Sequence, residues 1–189
     1  MKEGDTLNIG EYLSKCVETL GHTEGHMWLY EPRKKVFISG DHILNDITPN
    51  IELWSDRWNR LEEYLRSLDK VYEFDIELLL PGHRENFGNC KKRIVELKEH
   101  QRKRIDEILF ILRGGSKNAF QVASVMSWDI ADVYDSFDLF PATQKWFATG
   151  EAIAHLEYLE EKGVVRRDLL DHRILYSFNS HLRFYRQIQ

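Results

Sequence analysis

Two histidines and an aspartate stand just after predicted strands, where a protein can hold metal ligands. His22 lies in the segment GHTEGH, Asp41 follows the run KVFISG, and His83 follows the run IELLLPG. Loop positions at strand ends favour binding groups because the sheet holds them rigidly. Imidazole and carboxylate donors together suit zinc, iron or manganese. The alternative is that the three are hydrogen-bonded loop residues, and their spacing alone leaves both interpretations open.

The chemistry that such a set performs depends on how many donors each ion receives. A carboxylate oxygen can bridge two ions, and two-metal hydrolases hold their ions ~3.5–4 Å apart to activate a water between them. A catalytic zinc usually needs three protein ligands and a water. The stretch from Gly21 to Asp41 offers two such donors, His22 and Asp41, and His83 is a third candidate. Three side chains are too few to give each of two ions a set of this size, so a two-metal site needs further donors.

Alternating and continuous apolar runs predict the sheet that positions these residues. A polar turn joins the runs HMWLYE and KVFISG. A loop that contains Pro49 follows Asp41. Apolar residues at three-and-four spacing then predict an amphipathic helix before the last strand, so the order strand, helix, strand indicates a βαβ unit. We predict an α/β fold for residues 1–90. The predicted strands are TLNIG, EYLSKCVET, HMWLYE, KVFISG and IELLLP, and the predicted helix is RWNRLEEYLRSLDKVYEF.

From residue 91 onward the pattern changes to helices followed by a short hairpin. One long helix begins near Cys90 and stops at Gly114, a second has Ser116 as its N-cap, and a third runs from Ala142 to Gly163. Trp146, on the third helix, is expected to lie in the hydrophobic core of this domain. Two short strands, VVRRD and RILYSFN, then flank a turn. We predict a helical, winged-helix-like domain over residues 91–189.

Composition and charge narrow the classes of function. Charged residues make up 30% of the chain, the net charge is −5, and no apolar run approaches the ~20 residues that span a membrane. We expect a cytoplasmic protein with two reduced cysteines and no membrane partner. Residues 98–189 carry 13 Lys and Arg against 13 Asp and Glu, which weakens a DNA-binding interpretation. The basic runs 91–93 and 102–104 are interpreted as solvated helix faces, with RNA phosphate contact as the alternative.

The motifs TLGHTEGH, FISGDHIL and LLPGH, in this order, resemble the second half of the metallo-β-lactamase superfamily fold. The run PATQKWFATGEAIAHLEYLEEKGVV is similar to the C-terminal extension of its hydrolase-like members. The resemblance implies the C-terminal half of an αββα sandwich followed by a winged-helix-like domain. It also implies His22 as ligand of a first metal, Asp41 as the bridge, and His83 as ligand of a second. His26 and His42 are not ligands in this scheme.

The family's HxHxDH motif, which supplies three more ligands and the aspartate assigned as proton acceptor, has no counterpart in this sequence. The resemblance therefore implies a metal-dependent hydrolase acting on an ester-like bond, with zinc, iron or manganese in the complete site. It assigns no catalytic residue to this chain. We expect partial or no metal occupancy, and little or no hydrolase activity from the chain alone.

Half of a sandwich leaves one face of its sheet uncovered, and large exposed apolar patches are uncommon on monomers. The strands are rich in apolar residues, and the expected partner is a second copy in a two-fold dimer, or a separate N-terminal half. Two alternatives stay open: a non-catalytic dimerising or partner-binding remnant, and a module that binds nucleic acid through residues 91–189. The apolar strand residues are Trp28, Leu29, Val36, Phe37, Ile38, Leu78, Leu79 and Leu80.

Overall fold

The computed structural model describes residues 1–51, 58–128 and 134–179. The chain forms two compact units, Met1–Gln101 and Arg102–Gln189. The division between them falls inside the longest helix, and the domain bounds 1–90 and 91–189 stay a prediction. In the described part of the chain, no helix has the length and apolar character needed to cross a membrane.

The first unit is built on a five-stranded sheet in which the strands follow chain order. The first three junctions are antiparallel, and the last, between β4 and β5, is parallel. Every predicted strand is present, and the mixed α/β fold is confirmed. The strands are β1 (Thr6–Ile9), β2 (Tyr12–Glu18), β3 (Met27–Glu31), β4 (Val36–Gly40) and β5 (Leu78–Pro81).

Helix α1 (Arg60–Tyr72) carries the chain from β4 to β5, as the predicted βαβ unit requires. It begins at the N-cap Asn59, whose side chain accepts a hydrogen bond from the Glu62 amide. Its apolar stripe is fully buried, which explains why the helix forms from this spacing. A helical connection is what allows two neighbouring strands to run parallel. The buried stripe consists of Leu61, Tyr64, Leu68 and Val71.

The two faces of the sheet have different surroundings, because side chains alternate along each strand. Trp28, Phe37 and Leu79 are buried on one face, where the Trp28 and Phe37 rings meet edge to face at 4.3 Å. The opposite face is apolar but open, and there Ile38 is 41% exposed and Leu78 is 39% exposed. The pairings Leu29 with Ile38, Ile38 with Leu80, and Val36 with Leu78 define this open face. Three of the eight apolar strand residues that the sequence analysis names thus belong to the covered face.

The second unit contains the end of α2 (Cys90–Leu112), then α3 (Ala119–Ala123), α4 (Ala142–Glu161) and the hairpin β6 (Val165–Leu170) with β7 (Arg173–Phe178). Its core is one apolar cluster. The layout of three helices and a two-stranded sheet agrees with the sequence analysis, and the winged-helix assignment stays a prediction. Central members of the cluster are Ile108, Leu112, Val122, Ala152, Leu156, Leu159 and Tyr176.

Two local predictions in the second unit were wrong. The N-cap of α3 is Asn118 and not Ser116, because Asn118 and Gln121 form a reciprocal capping box. Trp146 is 53% exposed and lies outside the core. The small residues Ala148 and Ala152 occupy the buried face of α4 in its place.

The basic runs of α2 are only partly solvated, because Arg93 and Arg104 turn inward. Arg104 is buried and donates to the carboxylates of Glu107 and Glu151 and to the Ser127 carbonyl. Its guanidinium also lies over the Trp128 ring, 4.1 Å from the ring centroid. With these contacts, the planar guanidinium of Arg104 stabilises the packing of the second unit.

Acid should destabilise the second unit through His155, which is fully buried on α4 and hydrogen-bonded to the Glu151 carbonyl at 2.9 Å. Burial lowers the pKa of His155 to about 4. In the unfolded chain this histidine has an ordinary pKa of about 6.5. Between this pH and about 4, the unfolded chain therefore binds a proton at His155 and the folded chain does not. The free energy of unfolding should fall as pH decreases from 6.5 to 4, by up to ~1.4 kcal/mol per pH unit for this group.

Urea titrations at several pH values measure this dependence. His155→Gln should reduce the acid-induced loss, and His172→Asn, in the exposed hairpin turn, should retain the wild-type slope. Equal slopes in wild type and His155→Gln contradict the assignment.

Candidate metal centre

The parallel pairing of β4 with β5 brings Asp41 and His83 together. Gly40 pairs with Pro81 at the ends of these strands, and the Gly82 amide donates to the Gly40 carbonyl at 2.7 Å. Asp41 follows one strand directly, and His83 lies two residues beyond the other. His83 Nε2 is consequently 3.4 Å from Asp41 Oδ2. Two sequence-predicted ligands therefore lie at the carboxyl edge of the sheet.

His22 reaches the same carboxylate from the loop between β2 and β3. The Thr19 amide donates to the His26 carbonyl and closes this loop, and Ser67 on α1 donates to the Leu20 carbonyl. His22 Nε2 lies 3.9 Å from Asp41 Oδ2. All three predicted residues therefore approach one point, and the bridging role predicted for Asp41 matches its central position. Their role as ligands stays a prediction.

The other ring nitrogen of His22 has a hydrogen-bond partner. Nδ1 lies 2.9 Å from the Asn50 carbonyl oxygen. A carbonyl can only accept, so Nδ1 carries the hydrogen and the neutral ring keeps its free lone pair on Nε2. That lone pair is the one facing Asp41. Backbone carbonyls hold metal-binding histidines in this way in many proteins.

The donor types and spacing fit metal ligation, but the number of donors does not complete a site. Two ligands of one tetrahedral zinc ion, each ~2.0–2.1 Å from it, lie roughly 3.3 Å apart. The separations of 3.4 Å and 3.9 Å are close to this value. In residues 1–51, 58–128 and 134–179, however, no three His, Cys, Asp or Glu side chains form a group that could hold one ion. The described residues therefore bring suitable donors near one carboxylate without forming a complete set of ligands.

Two further histidines, His26 and His42, form a layer behind these residues. The His26 ring stacks on His42 with centroids 5.5 Å apart and meets His22 edge-on at 6.0 Å. His26 Nδ1 lies 2.8 Å from the Thr19 hydroxyl. His42 is fully buried, and within the described residues neither of its ring nitrogens has a hydrogen-bond partner. Its ring packs against aromatic rings, with Tyr64 4.8 Å away.

Burial keeps both of these histidines neutral. It lowers the pKa of His26 to about 4, with a further decrease from His22 and an opposing effect of Asp41. The pKa of His42 also falls well below its ordinary value, chiefly through burial and then through His26 and His22. Neutral rings add no positive charge beside a cation site. The sequence analysis did not predict this structural role. The only signal for it is that His26 follows His22 by four residues in the segment HTEGH.

Two glycines leave the space that this arrangement needs. A Cβ on Gly82 would lie 2.5 Å from Asp41 Oδ1, so a larger residue displaces the central carboxylate. Gly21 adopts a φ of +127°, and a Cβ there would lie 2.5 Å from the Tyr64 Cα. The loop that carries His22 therefore packs directly on the backbone of α1.

Family models match both units of the chain. Residues 3–83 match the model described as metallo-β-lactamase superfamily, and residues 107–180 match the model described as metallo-β-lactamase-like, C-terminal domain. The chain belongs to the metallo-β-lactamase superfamily. Members of this superfamily are metal-dependent hydrolases, so the prediction from the motifs TLGHTEGH, FISGDHIL and LLPGH is confirmed at the level of family.

Individual superfamily members show the same similarity. A β-lactamase domain protein from Burkholderia ambifaria is 28% identical, with a TM-score of 0.83, and the match covers 94% of this chain and 51% of that protein. "Probable metallo-hydrolase YqjP" of Bacillus subtilis is 26% identical over 157 residues, which are 79% of this chain and 45% of the relative. Human acyl-coenzyme A thioesterase MBLAC2 is 25% identical over 92 residues, 47% of this chain and 32% of the relative. The chain thus spans about half or less of their length.

Gly21→Ala tests the packing of the His22 loop on α1. The new methyl group meets the Tyr64 backbone, and the positive φ adds strain, so we expect a loss of about 2 kcal/mol or more in the free energy of unfolding. Gly25→Ala is the matched control in the same loop, because a Cβ there has no neighbour within 4 Å. Its effect should stay within about 0.5 kcal/mol. Urea unfolding followed by circular dichroism measures both, and similar values for the two variants contradict the packing.

Proposed function

We propose that this chain supplies one side of a two-metal hydrolase centre. His22 would hold a first ion, Asp41 would be shared by both ions, and His83 would hold a second. The observation that carries the proposal is that two imidazole Nε2 atoms, from loops far apart in sequence, approach the same carboxylate oxygen at 3.9 Å and 3.4 Å. Membership of a metal-dependent hydrolase family supports it.

The residues of the chain orient the donors and hold protons away from them. When bound, such ions lower the pKa of water and polarise the bond to be broken. Asp41 presents an anionic oxygen between the two histidines. The Asn50 carbonyl keeps the His22 proton on Nδ1, away from the metal-facing nitrogen. Neutral His26 and His42 fill the space behind the loop without adding competing positive charge.

The chain alone should hydrolyse substrates poorly, because each ion receives two donors from it and catalytic zinc usually has three. We propose that the remaining donors come from another polypeptide segment. A thioester is the first substrate class to test, since one relative is named an acyl-coenzyme A thioesterase. The assay measures the free thiol that is released when the chain alone is incubated with an acyl-coenzyme A. Hydrolysis that is lost in His83→Ala contradicts the expected inactivity.

Metal binding by untagged, chelator-free protein tests the proposed ligands. Competition with a chromophoric chelator gives the zinc affinity of wild type, Asp41→Asn, His83→Ala and His22→Ala. Asp41→Asn should have the largest effect, at least tenfold, because the bridge serves both ions, and each histidine variant should remove one interaction. His172→Ala, in the exposed hairpin turn, is the control. If the three ligand variants all bind zinc like wild type, or the wild type binds none, the proposed centre is wrong.

A second proposal follows from the open face of the sheet. We propose that a second copy covers this face in a two-fold dimer, because Ile38 and Leu78 are exposed there beside half-buried Leu29, Val36 and Leu80. Packing sheet on sheet removes this apolar area from water, which favours association. The dimer also brings two partial centres into one particle.

Light scattering at micromolar concentration tests the dimer. Wild type should have twice the chain mass, and Ile38→Lys should convert it to a monomer, because a charge at the centre of the interface is desolvated without a partner. Leu169→Lys, on the exposed tip of the hairpin in the second unit, is the control and should remain dimeric. A monomeric wild type refutes this proposal and leaves the metal centre untouched.

A further inference from the structure

Arg93 is the inward-facing member of the basic run at the start of α2. Its side chain is 15% exposed, whereas that of Lys92 is 72% exposed. Both residues form an ion pair with Glu96, at 3.2 Å for Arg93 and 3.5 Å for Lys92. The two neighbours thus share one carboxylate partner but differ in burial. The buried Arg93 side chain must therefore contact other parts of the protein as well.

These partners are two backbone carbonyls of the loop that follows Asp41. Arg93 Nε donates to the Leu44 carbonyl at 2.8 Å, and Nη2 donates to the Ile47 carbonyl at 2.9 Å. The loop has no regular secondary structure, so its carbonyls need donors from elsewhere. The planar guanidinium, with several N–H groups in fixed directions, binds both carbonyls at once, which an ammonium group cannot do in the same geometry.

The same loop ends in the group that orients His22. Ile47 is followed by Thr48, Pro49 and Asn50, and the Asn50 carbonyl accepts the hydrogen on His22 Nδ1 at 2.9 Å. The proline fixes one backbone angle of this short connection. Ser39 donates to the Ile43 carbonyl at the beginning of the loop. A displacement of the Ile47 carbonyl therefore has only Thr48 and Pro49 in which to be absorbed before it reaches Asn50.

Side chains at both ends of the loop resist such a displacement. Ile43 and Leu44 are buried at its beginning and Ile51 at its end. Between them, the two bonds from Arg93 tie the middle of the loop to α2. Arg93 is thus placed to fix the path of the chain between the buried ends, which is the part that presents Asn50 to His22.

We propose that Arg93 is a positioning residue for the metal centre: by binding the Leu44 and Ile47 carbonyls, it places the Asn50 carbonyl that holds His22 in the Nδ1–H form. The Nε2 lone pair then faces Asp41 before any ion arrives. The significance for metal binding rests on the proposed function above. The effect on His22 itself is a property of the metal-free chain and stands or falls independently.

The first test reads the His22 tautomer in metal-free protein at pH 8, where an ordinary imidazole is neutral. Long-range proton–nitrogen NMR spectra distinguish a protonated from an unprotonated ring nitrogen. Wild type should show hydrogen on Nδ1 of His22. Arg93→Gln should shift the population toward Nε2–H, and Lys92→Gln, which removes the same charge beside the same Glu96, should leave the spectrum unchanged. A merely structural role of Arg93 lowers stability without changing the tautomer of the folded protein.

Arg93→Lys keeps the charge and serves if Arg93→Gln does not fold. It should show the same shift in tautomer, because lysine lacks the planar fork that spans two carbonyls. An Nδ1–H signal as complete as in wild type, in whichever of the two variants folds, overturns the proposal. So does a wild type in which His22 carries its hydrogen on Nε2.

The second test is zinc affinity by chelator competition, where Arg93→Gln or Arg93→Lys should weaken binding 10–100-fold relative to Lys92→Gln. A tautomer shift with unchanged affinity overturns the claim that Arg93 prepares the metal centre. If wild type binds no zinc, the proposed centre fails, and the tautomer measurement still decides whether Arg93 positions His22.

Discussion

The candidate centre depends on the parallel pairing of β4 with β5. Asp41 and His83 are 42 residues apart in sequence, and they meet because α1 returns the chain so that both strands end at the same edge. The last step of this pairing is made by backbone atoms, through the bond from the Gly82 amide to the Gly40 carbonyl. Side chains are crowded there, since a Cβ on Gly82 would strike Asp41. The chemistry of the edge therefore rests on a backbone constraint that the helix α1 maintains.

The layer behind the centre is unusual because it buries polar rings that gain few hydrogen bonds. A buried imidazole N–H with no acceptor destabilises a fold by roughly 1–3 kcal/mol. The His42 ring meets Tyr64 and Trp28 in edge-to-face arrangements, with centroids 4.8 Å and 5.5 Å apart, and such aromatic packing offsets part of this loss. In return, the buried ring anchors His42, which is the residue next to Asp41. Rigid packing there restricts the backbone that carries the carboxylate, which is how a loop acquires a fixed position without a bound ion.

The sequence was most informative where a pattern is local. Strand alternation predicted the sheet, the apolar stripe of α1 predicted the βαβ unit, and the three ligand motifs predicted Asp41 and the two histidines that converge on it. It was least informative where an interaction spans distant segments. The runs 91–93 and 102–104 are each a row of positive charges, and nothing in them distinguishes Arg93 and Arg104, which turn inward, from Lys92, which does not. Ser116 and Asn118 are both acceptable N-caps, and only the bond from Gln121 back to Asn118 decides between them.

The two sides of the Asp41 carboxylate are prepared to different degrees. On one side, His22 is mostly buried, its Nδ1 hydrogen is fixed by Asn50, and the ring meets His26 edge-on. On the other side, the His83 side chain is 69% exposed and follows the strand end with little around it. Ordering an exposed side chain has an entropic cost at the moment of binding, whereas a packed ring has met that cost on folding. In the proposed centre, His22 is therefore already oriented by this chain, whereas His83 would need neighbours that close around it. The proposed cover of the open sheet face and the proposed completion of the ligand set have one requirement in common, because each needs a further protein surface against this unit.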